Sequence, residues 1–154
     1  MGWSNTIANK AMDIVESHEN EHGRISIRVH QKGVGYDLHS QNSNEERFIE
    51  VKGISESWKT YTWQPLHRTE FEALQSSPDK FYLYIVHFDI AKENRNENYL
   101  NSALRRIYII PGRNLQTDFR IIPQTFALSP ISQRKLEAYE VVENQVVQSP
   151  GKDV

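Results

Sequence analysis

Gly35-Tyr36-Asp37 and Glu50-Val51-Lys52 hold the residue types of metal-assisted phosphoryl chemistry: two carboxylates to hold a hard cation and an ammonium to orient water or meet developing charge. The two segments flank Gln41-Asn42-Ser43-Asn44-Glu45-Glu46, a run rich in turn formers. A hairpin turning at Ser43-Asn44 pairs residues whose numbers sum to 87, so Leu38 faces Ile49 and Tyr36 faces Val51. That face is wholly apolar. Side chains alternate along a strand, so the other face sets Gly35 opposite Lys52, Asp37 opposite Glu50 and His39 opposite Phe48.

Like charges directly opposed on a sheet destabilise it. At about 5 Å and an effective dielectric near 20, the repulsion is on the order of 3 kcal/mol. Mg²⁺ (or Mn²⁺) offsets this by taking one or two carboxylates at about 2.0–2.1 Å and filling its other positions with water, carbonyl or phosphate. Without a metal, Lys52 alone would have to satisfy both acids as a surface cluster, and a register slip of one residue would separate them.

The elements that must position these groups can be read from periodicity. Ile7, Ala8, Ala11, Ile14 and Val15 recur at helical spacing between Ser4, a cap, and Gly23. Residues 24–30, 34–40 and 47–53 alternate as strands, the last two forming the hairpin. Thr69 can cap a short helix that ends at Ser77-Pro78, and residues 81–88 read as a strand buried on both faces, the centre of the sheet. A strand over 106–110 ends in a turn at Pro111-Gly112, Ser132 can open a last helix, and Gln148-Ser149-Pro150-Gly151 reads as disordered. The order helix, strand, strand, strand, helix, strand implies an α/β fold with a mixed sheet covered by helices.

Composition bounds the function. The chain has 154 residues, enough for one domain, with 38% hydrophobic and 10% aromatic residues and a mean hydropathy of -0.66. We expect one domain over residues 1–136 and a partly disordered tail over 137–154. With no run of roughly 20 apolar residues, the expected setting is cytoplasmic, without membrane contact. Zero cysteines exclude disulfides, thiolate metal sites and Cys nucleophiles. Net charge is -2, but residues 1–100 hold 11 Lys/Arg against 15 Asp/Glu while 101–154 hold 7 against 5. Arg105, Arg106, Arg113 and Arg120 are the candidate phosphate-binding surface, with His67 and Arg68 ahead of the second helix as further contacts. Trp58, Tyr61 and Trp63 can stack on bases or cover a core edge.

Gly35-Tyr36-Asp37, Ile49-Glu50-Val51-Lys52-Gly53 and this element order resemble the PD-(D/E)XK nuclease-like superfamily, and more closely the branch named after the C-terminal domain of the plant protein NO VEIN. Val15, Glu19, Gly23 and Arg24 match that branch's first-helix pattern; Glu70, Phe71 and Ala73, ahead of Tyr82-Leu83-Tyr84, match its second. The resemblance covers residues 5–90, with Tyr36 where the superfamily's name has proline. It implies a restriction-endonuclease-like core, a metal on Asp37, Glu50 and the Val51 carbonyl, and Lys52 assisting the water. Glu19 would approach from the first helix, and periodicity sets it at the flank of the apolar stripe. Glu70 would order a metal-bound water or favour its helix N-terminus through the dipole. The expected function is Mg²⁺-dependent cleavage of DNA, with a homodimer suited to cutting both strands; a third reading, an RNA-processing nuclease, differs only in whether the site tolerates a 2′-hydroxyl. The alternative is an inactive nuclease fold serving as a protein-interaction or assembly module.

Overall fold

The computed structural model describes residues 2–60, 62–122 and 127–143. Helix α1 (Trp3–Glu21) is capped by Gly2, and Gly23 follows it at φ 75°. The chain continues through β1 (Ile25–Arg28), β2 (Leu38–Gln41), β3 (Glu46–Ile54), β4 (Gln64–Pro65), α2 (Arg68–Ser76) and β5 (Phe81–Asp89). After these come α3 (Glu97–Ser102), β6 (Leu104–Pro111), α4 (Gly112–Asp118), β7 (Phe119–Ile122), β8 (Ala127–Pro130), α5 (Gln133–Glu137) and β9 (Glu140–Val141). The fold is α/β, with a mixed central sheet flanked by helices.

The main sheet has the order β1-β2-β3-β5-β6-β9, with β3 and β5 parallel and the other pairs antiparallel. The parallel pair needs a crossover, which β4 and α2 supply. Strand β5 sits between β3 and β6 and buries Phe81, Leu83, Tyr84, Ile85, Val86 and Phe88, as its unbroken apolar run requires.

Each face of the sheet has its own core. On one, Ile7, Ala11, Ile14 and Val15 of α1 pack on Leu38, Ile49, Tyr84, Val86 and Ile107. Helix α1 lies close over β3: a Cβ on Gly53 would stand 2.8 Å from the Ile7 carbonyl oxygen and 3.1 Å from the Ala11 Cβ. On the other face, Leu74 of α2 joins Leu83, Ile85, Tyr108 and Ile110, together with Trp58, Leu66, Phe119 and Leu128. These last residues belong to or adjoin a second sheet, β4-β8-β7, which lids this side and was not read from the sequence.

The hairpin register is as expected, with Leu38 opposite Ile49 and His39 opposite Phe48. Its first arm is shorter. Gly33 at φ 65° and Gly35 at φ 87° keep residues 33–37 out of the strand, so regular β2 begins only at Leu38. Three other expectations are corrected. Gly112 opens helix α4 instead of a turn. Helix α2 starts one residue ahead of Thr69, with His67 as its N-cap. Residues 140–141, assigned to the tail, pair with β6 at the sheet edge. The expected disorder at 148–151 falls outside the described residues. Among the described residues, no helix is long and apolar enough to cross a membrane.

Ile49 is fully buried between α1 and the sheet. Ile49→Ala is therefore expected to cost about 2–5 kcal/mol in urea unfolding, through lost burial and the cavity left behind.

Candidate active site

Strand β3 presents Ile49 and Val51 to α1 and Glu50 and Lys52 to α2, because its side chains alternate. In register, Glu50 lies beside Leu83 and Lys52 beside Ile85, both in the core under α2. Glu50 is 5% exposed. Asp37 reaches this face from just before β2: its backbone N–H donates to the Ile49 carbonyl at 2.8 Å, and its Oδ2 accepts the Val51 N–H at 2.9 Å. A side-chain oxygen thus completes the strand pairing where the backbone of β2 has turned away.

Glu70, in the first turn of α2, closes the group. Its Oε2 accepts the His67 N–H at 2.8 Å and the Lys52 ammonium at 3.5 Å, while Lys52 also donates to Glu50 at 3.2 Å. Glu70 therefore caps its helix and meets the lysine at once, so both readings of this residue have a physical basis. Two carboxyls meet the ammonium directly, and Asp37 lies near enough to feel its charge. Burial pushes the Glu50 carboxyl well above the usual range; Lys52 opposes this, and Asp37 and Glu70 add to it. Asp37 is also raised, chiefly by burial, against the Val51 hydrogen bond and Lys52.

Tyr36 does not lie under the acids beside Leu38, as strict alternation required. The left-handed Gly35 turns the chain, and Tyr36 stacks on Phe48 with ring centroids 4.6 Å apart, on the α2 side. Gly35 itself is pressed on α2: a Cβ there would run into the Thr69 carbonyl and stand 3.0 Å from the Ala73 Cβ.

Glu19 is not brought to the cluster. It hangs from α1 on the opposite face of the sheet, fully buried. There it accepts from the Arg24 guanidinium, from Ser40 Oγ at 2.7 Å and from the Tyr84 hydroxyl. Arg47 extends the network, with Nη1 2.6 Å from Tyr84 Oη and its guanidinium 4.3 Å over the Tyr82 ring. Burial alone would raise the Glu19 carboxyl, but hydrogen bonds from Arg24, Tyr84 and Ser40 outweigh it and hold the group below its usual range. Sequence reasoning missed Arg47 and Ser40, although their numbers also sum to 87 and the register sets them opposite each other on the α1 face.

The candidate phosphate contacts are dispersed. Arg105 pairs with Phe88 in the sheet and points to the α1 face, whereas Arg106 pairs with His87 and points to the other. Arg105 is bound to Glu143 at 3.1 Å and Arg106 approaches Glu140 at 3.6 Å. Arg113 pairs with Asp79 beyond the far end of β5. Arg120 bonds the carbonyls of Thr60 and Pro130 and lies 5.9 Å over Trp63. His67 and Arg68 do border the acids at the start of α2; both are exposed, and Arg68 donates to Glu72 at 2.9 Å. Trp58 is buried against Phe119 and covers the core, while Trp63 is 38% exposed and Tyr61 lies outside the described residues.

Among the described residues, no three His, Asp or Glu side chains form a metal-holding group. Asp37 and Glu50 remain a two-carboxylate set, with negative charge in excess of Lys52 and the Val51 carbonyl next in the chain. Two carboxylates completed by carbonyl and water suit Mg²⁺, which keeps several waters.

Three outcomes follow from these two faces. Arg24→Ala leaves Glu19 buried without its main partner and should cost about 3–5 kcal/mol. Because the folded-state pKa of Glu19 lies below its unfolded value, the stability it adds is present above that unfolded value and lost as pH falls through the folded one; urea titrations should show a flatter acid limb for Glu19→Gln. Glu50 has the opposite sign, since its raised pKa makes ionisation costly as pH rises. Glu50→Gln is expected to raise Tm by a few degrees at neutral pH in chelator, where roughly 1 kcal/mol corresponds to about 2–4 °C for a domain of this size.

A search of curated proteins returns no match to the chain. Residues 7–100, which span α1 through most of α3 and contain both clusters, match the family described as Protein NO VEIN, C-terminal, and the chain belongs to that family.

Proposed function

We propose that this chain is a Mg²⁺- or Mn²⁺-dependent phosphodiesterase of the PD-(D/E)XK nuclease-like type, acting on DNA. The observation that carries this reading is the burial of Glu50 and Glu70 on one lysine with the half-buried Asp37 beside them, an arrangement that favours an added cation.

Asp37 and Glu50 would hold the metal, with the Val51 carbonyl as a backbone donor. When bound, the cation lowers the pKa of a coordinated water and neutralises charge on the phosphate. Lys52 is held between Glu50 and Glu70 at 3.2 and 3.5 Å, so its ammonium is fixed in direction and can orient the attacking water or meet charge developing on the phosphoryl oxygens. Glu70 steers that lysine while its helix start, with the exposed His67 and Arg68, borders the place a phosphate would take. Glu19 has no part in this chemistry; it locks α1 to the sheet from the other side.

A second reading, a nuclease fold kept as an assembly module, is favoured by one observation. The four candidate arginines, Arg105, Arg106, Arg113 and Arg120, are engaged by Glu143, Glu140, Asp79 and backbone carbonyls, and they do not form one surface facing the acids.

Incubation with plasmid and with DNA and RNA oligonucleotides, in Mg²⁺ or Mn²⁺ against chelator, decides between them. We expect metal-dependent cleavage that Asp37→Asn and Lys52→Ala reduce by a factor of at least about 10², the usual scale of general acid–base and electrostatic contributions. Both metals should also raise the Tm of the wild type and not of Asp37→Asn. Intact substrate under every condition, together with an unchanged Tm, would favour the assembly module.

A further inference from the structure

A cavity of about 630 Å³ lies between α1 and α3, away from the acidic cluster. Trp3, Lys10 and Arg95 line it together with Asn9, Asn96 and Asn101. Through Trp3 and Arg95 it continues into a smaller recess of about 300 Å³ at the C-terminal end of β3, lined by Gly53, Ile54 and Ser55.

Its two cations are under-used. Lys10 is half-buried on α1 and makes no ion pair among the described residues. Arg95 is tied down by one end: Nη2 donates to Ser55 Oγ at 3.2 Å and lies 3.6 Å from Glu56, an acid that Lys92 also approaches at 3.9 Å. Its Nε is buried and has no hydrogen-bond partner. The side chain as a whole is 29% exposed and lines the cavity, so the accessible part of the guanidinium can still meet an anionic oxygen there.

The rest of the lining narrows the anion. Trp3 opens α1 half-buried, so part of its indole is available for stacking. Asn96 spends its Oδ1 on the Tyr99 N–H at the start of α3, while the exposed Asn101 amide presents a donor and an acceptor that suit the edge of a base. The acids of the lining are Asp13, held by Arg28 at 2.7 Å, and Glu97; a carboxylate accepts from a sugar hydroxyl. The volume fits one small ligand.

We propose that this cavity binds a phosphorylated nucleotide, with its base on Trp3 and its phosphate between Lys10 and Arg95. The site goes beyond the phosphodiesterase reading and needs no metal, so its failure and the failure of that reading are separable.

The experiment is a titration of the full chain in chelator with AMP, dAMP, a short single-stranded oligonucleotide and inorganic phosphate. It is read by tryptophan fluorescence and by calorimetry. We expect saturable binding that quenches fluorescence, with Lys10→Gln and Arg95→Lys each weakening it by about tenfold. Trp3→Phe should remove most of the quench while calorimetry still registers binding. Lys10→Gln, on the helix surface, keeps the test valid if the Arg95 variant fails to fold. Binding of mononucleotides identifies a free-nucleotide site; binding of the oligonucleotide alone identifies a strand-holding tract; either supports the proposal. No binding at millimolar ligand, affinities unaltered in Lys10→Gln, or phosphate binding as tightly as AMP would overturn it.

Discussion

Strand β3 is covered by helices on both faces, and from that one constraint most of the molecule follows. A strand in this position is expected to be apolar throughout, as β5 is. Strand β3 is so only on the side of α1, where Ile49 and Val51 pack and Gly53 lets the helix approach. Its other side carries Glu50 and Lys52 under α2, where water is scarce and each charge must be met by another side chain. Asp37, Glu70 and the helix start at His67 are drawn together around that requirement.

The two faces then hold charge in different ways. Under α1, the fully buried Glu19 is more than satisfied, with Arg24, Ser40 and Tyr84 donating to it and Arg47 behind them. Under α2, the acids outnumber the lysine, and burial pushes the carboxyls of Asp37 and Glu50 above their usual range. A balanced cluster specifies packing; an unbalanced one stores an attraction for positive charge. That difference separates residues that share one family pattern, since Glu19 and Arg24 belong to the first cluster and Asp37, Glu50 and Lys52 to the second.

Much of this was legible in the sequence because strand alternation is strict. The sum of 87 set the hairpin register and therefore placed Glu50 and Lys52 on one face and Leu38 and Ile49 on the other. The same rule misplaced Tyr36, because alternation ends where Gly35 adopts a positive φ and the chain leaves the sheet. Glu19 was read from its angle on a helix wheel, which does not say which face of the sheet the helix covers. The arginines of β6 were adjacent in sequence, and adjacency in a strand means opposite faces. The second sheet went unread because β4 has two residues and β7 and β8 four each, too short for a periodic signal. Pro111-Gly112 was misread because a proline before a helix and a proline in a turn look alike along the chain.

Gly35 rests against the backbone of Thr69 and the Cβ of Ala73, so the segment that ends in Asp37 and the helix whose first turn carries Glu70 touch with no side chain longer than that of Ala73 between them. Backbone against backbone is a stiff joint, with no rotamer to absorb a displacement. A push on α2 from outside would be transmitted to Asp37 as directly as to Glu70, and the spacing of the acids would change as one linkage. Helix α2 is in this sense the handle of the site: whatever grips its exposed side, where Arg68 and Glu72 stand in solvent, also holds the lever that sets how far apart the carboxyls lie.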